Sequence, residues 1–222
     1  MINYDTARRN MVDSQIRTNK VTDLHLIAAI TDLPREKFVP AAWRALAYVD
    51  EDIPLGAAEG GVTRHLMEPM PFARLVQLAA IRKGDYVLDI GCGTGYSTAV
   101  IARLADQVVG LESDEALATS ANETLTELDI DNAVVVTGPL QEGYAAEGPY
   151  DVIVFGGAVP EVAPGLFDQL KPGGRLVAVI MNGPMGRATL FTKTASEISD
   201  WVAFDATVHP LPGFEKVVEF TF

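Results

Sequence analysis

Val87-Leu88-Asp89-Ile90-Gly91-Cys92-Gly93-Thr94-Gly95-Tyr96 reads as one unit: a short apolar run carrying one carboxylate, a turn with glycine at every second position, and the first residue of a helix-like stretch. Glycine in such a turn permits backbone angles closed to other residues and lets a ligand approach the main chain. In open α/β sheets, ligands bind beyond the carboxyl ends of the strands, in the crevice where strand order reverses. Glu112 follows Gly91 by 21 residues, at the end of the next strand-like run. A carboxylate placed there accepts hydrogen bonds from both hydroxyls of a ribose. A dinucleotide fingerprint would put a further glycine at position 96, and the chain has Tyr96. The bulky ring disfavours a pyrophosphate cradle.

Outward from this turn, strand-like runs at 86–90, 107–111, 133–136, 151–155 and 175–180 are separated by helical stretches at 96–104 and 114–128 and by an irregular segment at 138–148. A helix is predicted over 72–81. Near-continuous apolar strands alternating with helices predict a parallel sheet covered on both faces, a doubly wound α/β domain. The sheet is expected to end with 188–193 and 216–222 paired antiparallel. Upstream, Met11, Ile16, Leu24, Ile27, Ala28, Ile30 and Leu33 fall near helical spacing. Thr22 or Asp23 is the expected N-cap of the second of these helices, and Pro34 its stop. Pro54, Gly56, Gly60, Gly61, Pro69 and Pro71 predict loop over 50–71. The expected division is therefore a helical N-terminal extension with a substrate-side loop over 1–70, and a cofactor-binding domain over 71–222.

Composition narrows the function classes. The 222 residues are 48% hydrophobic and 21% charged, which is the make-up of an ordinary globular protein. No apolar run approaches the roughly 18 residues of a membrane span, and Met1-Ile2-Asn3-Tyr4-Asp5 lacks a signal-peptide pattern. One cysteine, Cys92, excludes an internal disulfide framework or a Cys-rich zinc site. A cytoplasmic protein is expected. The net charge is −13, of which −11 lies in residues 71–222; such a field repels phosphate backbones and argues against nucleic-acid binding. His25, His65 and His209 are scattered with no ligand spacing, so no metal is expected.

Asp89-Ile90-Gly91-x-Gly93-x-Gly95 resembles the S-adenosylmethionine site of class I methyltransferases, a Rossmann-like fold with a seven-stranded, mostly parallel sheet. That resemblance implies Asp89 near the methionine amino group and Gly91, Cys92, Gly93, Thr94, Gly95 and Tyr96 under the cofactor. It implies Glu112, with Ser113 beside it, on the ribose, and S-adenosylhomocysteine as product. Pro149-Tyr150-Asp151-Val152-Ile153-Val154 and Leu170-Lys171-Pro172-Gly173-Gly174-Arg175-Leu176-Val177 resemble the fourth-strand and fifth-strand motifs of these enzymes, where they are architectural. Cys92 reads as a small residue of the turn rather than a nucleophile, having no base near it in sequence.

Within that class the N-terminal half resembles protein-L-isoaspartate O-methyltransferases. Arg9-Asn10-Met11-Val12-Asp13-Ser14-Gln15-Ile16-Arg17 and Leu33-Pro34-Arg35-Glu36-Lys37-Phe38-Val39-Pro40 carry the likeness. So do Ala47-Tyr48, Ile53-Pro54-Leu55-Gly56 and Ala158-Val159-Pro160-Glu161-Val162-Ala163-Pro164, and together they span most of residues 5–181. The family resemblance implies methyl transfer to the carboxylate of an isoaspartyl residue in a protein or peptide, as protein repair.

Two positions depart from the family. Its Ser-x-Pro loop aligns with His65-Leu66-Met67-Glu68-Pro69, so Met67 stands where the serine would be and has no hydroxyl to donate. Glu68 beside it opposes a substrate carboxylate unless it is neutralised or turned away; Thr63 is the substitute hydroxyl under a shifted alignment. The family's Gly-Asp-Gly by the adenine is replaced by Gly138-Pro139-Leu140, leaving backbone groups and Leu140 to bracket the ring and Gln141 or Glu142 as alternative contacts. Two further readings stand beside repair. One is the same enzyme with an unidentified small-molecule acceptor, in which a neutral His65 with Glu68 deprotonates a hydroxyl or amine. The other is a non-catalytic module binding S-adenosylmethionine or a peptide. His209 reads as supporting a turn.

Overall fold

The computed structural model describes residues 2–57 and 63–215. Helix α1 (Tyr4–Met11) runs into a π-helical turn at Val12–Ile16. In α2 (Leu24–Asp32) the Asp23 carboxylate caps the N-terminus, accepting from the backbone N–H of His25 and Leu26. The helix stops where the residue before Pro34 is pushed to extended geometry: Leu33 has ψ 127°.

Residues 50–71 are not simply loop. Strand β1 (Ile53–Ala57) pairs antiparallel with β2 (Thr63–Leu66) as a separate two-stranded sheet. Pro54 and Gly56 are accommodated because both outer edges of a two-stranded ribbon are open and the register shifts between these two residues. Helix α3 (Pro69–Ala79) then starts with proline at a position whose N–H has no helical partner.

The remaining elements are β3 (Tyr86–Ile90), α4 (Tyr96–Ala102), β4 (Gln107–Glu112), α5 (Glu115–Glu127), β5 (Ala133–Thr137), β6 (Tyr150–Val159), α6 (Pro164–Asp168), β7 (Leu170–Ile180), β8 (Arg187–Lys193) and β9 (Ile198–Asp205). They form a seven-stranded sheet in the order β5-β4-β3-β6-β7-β8-β9. The first five in that order are parallel, and β8 and β9 are antiparallel additions. The expected partner of β8 is thereby corrected. Both its edges are taken, by β7 and by β9, and residues 216–222 lie outside the described residues. No helix among the described residues is long and apolar enough to cross a membrane.

Strand alternation sorts the core into two layers. Val87, Val152, Val154, Val177 and Val179 face α3, α4 and α5 and, beyond them, Leu26 and Ile30 of the N-terminal segment. Leu88, Ile90, Ile153, Phe155 and Leu176 face Leu140, Leu166 and Leu211. Each such side chain contributes about 1.5–3 kcal/mol on burial. The chain leaves β3 toward β4 and β5 on one side and returns to β6 and β7 on the other. The strand order therefore reverses beside β3, and the crevice opens at the carboxyl ends of β3 and β6.

Candidate functional site

The glycine turn sits at that crevice. Gly91, Gly93 and Gly95 have φ of 79°, 57° and 88°, the left-handed region in which a Cβ is strained. Asp89, two residues before the turn, shares a face with Val87 and lies under the start of α4. Its Oδ2 accepts from the hydroxyls of Ser97 at 2.6 Å and Thr98 at 2.7 Å, whereas Oδ1 is buried without a partner among the described residues. Burial, opposed by these two hydroxyls, pushes its pKa up to about 6.

Glu112, at the end of β4, is fully buried. Its Oε2 accepts from the Gly93 N–H at 2.7 Å, and Oε1 accepts from the backbone N–H and hydroxyl of Ser113. The same carboxylate is gripped by Arg64 of β2. Arg64 Nη2 lies 2.9 Å from Oε2, Nε lies 3.3 Å from Oε1, and Nη2 also donates to the Gly91 carbonyl at 2.9 Å. Nothing in the sequence marks Arg64, because an isolated arginine in a predicted loop reads as a solvated charge. Recognising β2 as a strand would have exposed it, because alternation puts Arg64 on the buried face with Leu66.

Two apolar side chains complete this arrangement. A Cβ on Gly91 would lie 2.6 Å from Leu211 and one on Gly93 would lie 2.7 Å from Leu55, so both side chains press on the turn. The space left among Arg64, His65, Met67, Asp52 and His209 is about 10 Å³, close to the minimum for a single water.

The remaining predicted positions divide between the turn and its surroundings. Thr94 donates its hydroxyl to the Phe38 carbonyl at 2.6 Å, and Tyr96 packs between Phe38 and Phe72 with the Arg35 guanidinium over its ring. Both side chains thus join the turn to the N-terminal segment. Cys92 is buried, and that burial pushes its thiol pKa well up. Gly138 donates its N–H to the Glu112 carbonyl, Pro139 and Glu142 are exposed, Gln141 is half-buried and Leu140 is fully buried in the second core layer.

On the hairpin side, Thr63 is exposed and Met67 is buried in the core, its carbonyl held by Arg35 Nη2 at 2.7 Å. Glu68 has its pKa raised by burial and by Asp52, Asp50 and Glu51. His65 stacks on His209, with ring centroids 3.6 Å apart and planes within 6°, and its Nδ1 is buried without a partner among the described residues. Burial and His209 lower the His65 pKa, and His209 Nε2 lies 3.5 Å from Asp52 Oδ2. His209 therefore belongs to the site's surroundings as well as to its own turn.

Comparison with known proteins decides the family. The family model for protein-L-isoaspartate(D-aspartate) O-methyltransferase matches residues 6–206. The chain belongs to this family. Relatives include the protein-L-isoaspartate O-methyltransferase 2 of an Anaeromyxobacter species, 37% identical over 86% of this chain and 77% of the relative. The Koribacter versatilis protein-L-isoaspartate O-methyltransferase is 34% identical over 93% and 90%. A solved protein-L-isoaspartate O-methyltransferase superposes with a TM-score of 0.81 at 26% identity, covering 93% of this chain and 67% of the other. A Plasmodium falciparum protein described as a PCMT and solved with S-adenosyl-L-homocysteine shares the fold at 21% identity, with a TM-score of 0.76 over 96% of this chain and all of that one. Membership makes this chain an S-adenosylmethionine-dependent methyltransferase of the class I fold.

Proposed function

We propose that the enzyme methylates the free carboxylate of isoaspartyl residues in damaged proteins or peptides, as cytoplasmic protein repair. The observation that carries the reading is the pairing of two buried carboxylates, Asp89 and Glu112, across a left-handed glycine turn in a chain of this family. The donor and acceptor set suits S-adenosylmethionine. The orphaned Oδ1 of Asp89 is an acceptor for an ammonium group, the glycine turn puts no side chains of its own at positions 91, 93 and 95 in a ligand's way, and Glu112 is the carboxylate for ribose hydroxyls once Arg64 is displaced from it. Ser113 and Gly138-Pro139-Leu140 lie beyond Glu112 on the adenine side. The two-part organisation follows: residues 71–222 hold the cofactor, and residues 1–70 shape the acceptor side through the hairpin with His65, Met67 and Glu68.

When bound, the cofactor supplies an electrophilic methyl on a sulfonium. The acceptor carboxylate is already ionised at neutral pH, so no general base is needed. The work of the protein is to hold nucleophile, methyl and sulfur in line and to exclude water. Met67 gives the acceptor no hydroxyl, which leaves backbone groups of the hairpin to orient it. The single, buried, unpaired Cys92 is in keeping with a reducing compartment. Transfer to another acceptor and a purely binding role are not favoured by the family match.

The test is methyl-labelled S-adenosylmethionine with paired peptides that differ only in isoaspartyl or aspartyl linkage, beside a known repair enzyme. Label on the isoaspartyl peptide alone is expected. No label with an active control overturns the acceptor assignment.

A further inference from the structure

Methyl transfer makes no use of Arg64, yet this buried residue sets its guanidinium at the carboxyl end of the central strands, on the carboxylate assigned to the ribose. We infer that Arg64, carried by the β1–β2 hairpin, is a built-in competitor for the cofactor's ribose, so that S-adenosylmethionine and S-adenosylhomocysteine bind only after the hairpin withdraws it from Glu112. The inference rests on the assignment of Glu112 to the ribose.

Three relations support it. First, Arg64 makes the contacts a ribose diol would make. Two of its N–H groups reach the two Glu112 oxygens, at 3.3 and 2.9 Å. Glu112 keeps its other donors, the Gly93 and Ser113 N–H groups, when Arg64 leaves, so the exchange does not strand a bare buried charge. A neutral diol in place of a charged fork gives weaker bonds, which makes the closed arrangement the favoured one.

Second, the obstruction is concerted. Leu55 of the same hairpin presses on Gly93, and Leu211 presses on Gly91 from the C-terminal segment. The hairpin and this segment are joined by the His65–His209 stack and by His209 with Asp52. Third, the hairpin is tied to the rest of the fold by side chains, Ile53, Leu55 and Leu66 being buried in the core, and not by pairing with the main sheet. It forms its own two-stranded sheet and lends no strand to the seven-stranded one. Among the described residues, two backbone bonds hold the C-terminal segment on β6, Ala158 N–H to the His209 carbonyl and Leu211 N–H to the Ala158 carbonyl.

A protein whose competent state is a minor one binds its ligand more weakly by the populated fraction. Minor states commonly hold about 0.1–10% of the molecules. Removing the competitor should therefore tighten binding about tenfold or more.

The experiment is titration of S-adenosylhomocysteine by calorimetry into the wild type, Arg64→Ala and Glu112→Ala, with circular dichroism to confirm folding. Its companion is the association rate on immobilised wild-type protein as ligand concentration rises. Arg64→Ala is expected to bind about tenfold tighter or better, and the wild-type rate is expected to level off at the opening rate. Equal or weaker binding by folded Arg64→Ala overturns the proposal, as does a wild-type rate that climbs linearly throughout. If Arg64→Ala does not fold, the wild-type rate alone decides. Unchanged binding in Glu112→Ala would instead overturn the ribose assignment, and the competitor reading with it. Weakened binding there without tightening in Arg64→Ala overturns the competitor alone.

Discussion

Arg64 and Glu112 form a salt bridge of 2.9 Å with both side chains almost wholly out of solvent, 3% and 0% exposed. The two partners are not equivalent. Glu112 has backbone donors of its own, whereas among the described residues Arg64 is hydrogen-bonded to Glu112 and the Gly91 carbonyl. Losing the carboxylate strands a buried cation, which costs about 3–5 kcal/mol. Losing the guanidinium leaves a carboxylate still hydrogen-bonded, at about 1–3 kcal/mol. Urea unfolding should therefore rank Glu112→Ala well below Arg64→Ala in stability. The reverse order would mean that the backbone donors do not sustain the Glu112 carboxylate without Arg64.

Asp89 carries its own pH signature. Its pKa stands at about 6 in the folded chain against 3.8 in the ordinary carboxylate. Below the lower value both states are protonated and nothing is lost. As pH rises from there to about 6 the unfolded chain releases its proton first, so stability falls, by about 3 kcal/mol in total for a displacement of that size. Asp89→Asn should remove this fall while keeping the contacts to Ser97 and Thr98. Thermal melts of both proteins from pH 4 to 7.5 check it; parallel curves would sink the claim.

The same carboxylate predicts a pH dependence of binding with the opposite sense. An ammonium placed on Oδ1 favours the ionised form, so S-adenosylhomocysteine affinity should rise between pH 5 and 7 and then level off. Calorimetry at three pH values is enough. Flat affinity across that range would remove Asp89 from the amino-group contact.

The parallel part of the fold was legible in sequence because strands buried on both faces cannot hide. Val87 to Ile90, and Val152 to Phe155, are apolar whichever way each side chain points, apart from Asp89. The hairpin and β9 were not legible, for two different reasons. Pro54 and Gly56 punctuate β1, and a two-stranded ribbon lacks the long apolar run that would outweigh them. In β9 the residues from Ile198 to Val202 are exposed, so no alternation marks the strand and Trp201 stands in solvent. At the site, Asp89, the glycines and Glu112 were visible through fixed spacing along one βαβ unit. Arg64 and His209 come from distant segments, and only the folded chain brings them to Glu112 and His65.

Cys92 should be inert while the protein is folded. Its sulfur lies under the turn, near Thr98 and Gly110, and burial keeps it in the thiol form, which is not the nucleophile. A disulfide reagent at pH 8 should titrate no thiol in buffer and one in urea. Rapid reaction in buffer would mean that the turn opens readily.

Met67 supplies the last prediction, since it is where this chain departs from the serine of its family. The side chain is 7% exposed and belongs to the core cluster that joins the N-terminal segment to α3 and α4. Its carbonyl is held by Arg35, which also binds the Ala47 carbonyl at 2.9 Å. Met67→Ser removes most of a buried side chain and leaves a hydroxyl in an apolar setting, so it should cost about 2–5 kcal/mol. Each kcal/mol lowers Tm by about 2–4 °C in a chain of this size. A restored hydroxyl brings no gain if the backbone orients the acceptor, so transfer to an isoaspartyl peptide, measured below the melting range, should not rise. A stable Met67→Ser variant with higher activity would show the opposite: that the acceptor pocket lies against this side chain and that its polarity limits the reaction.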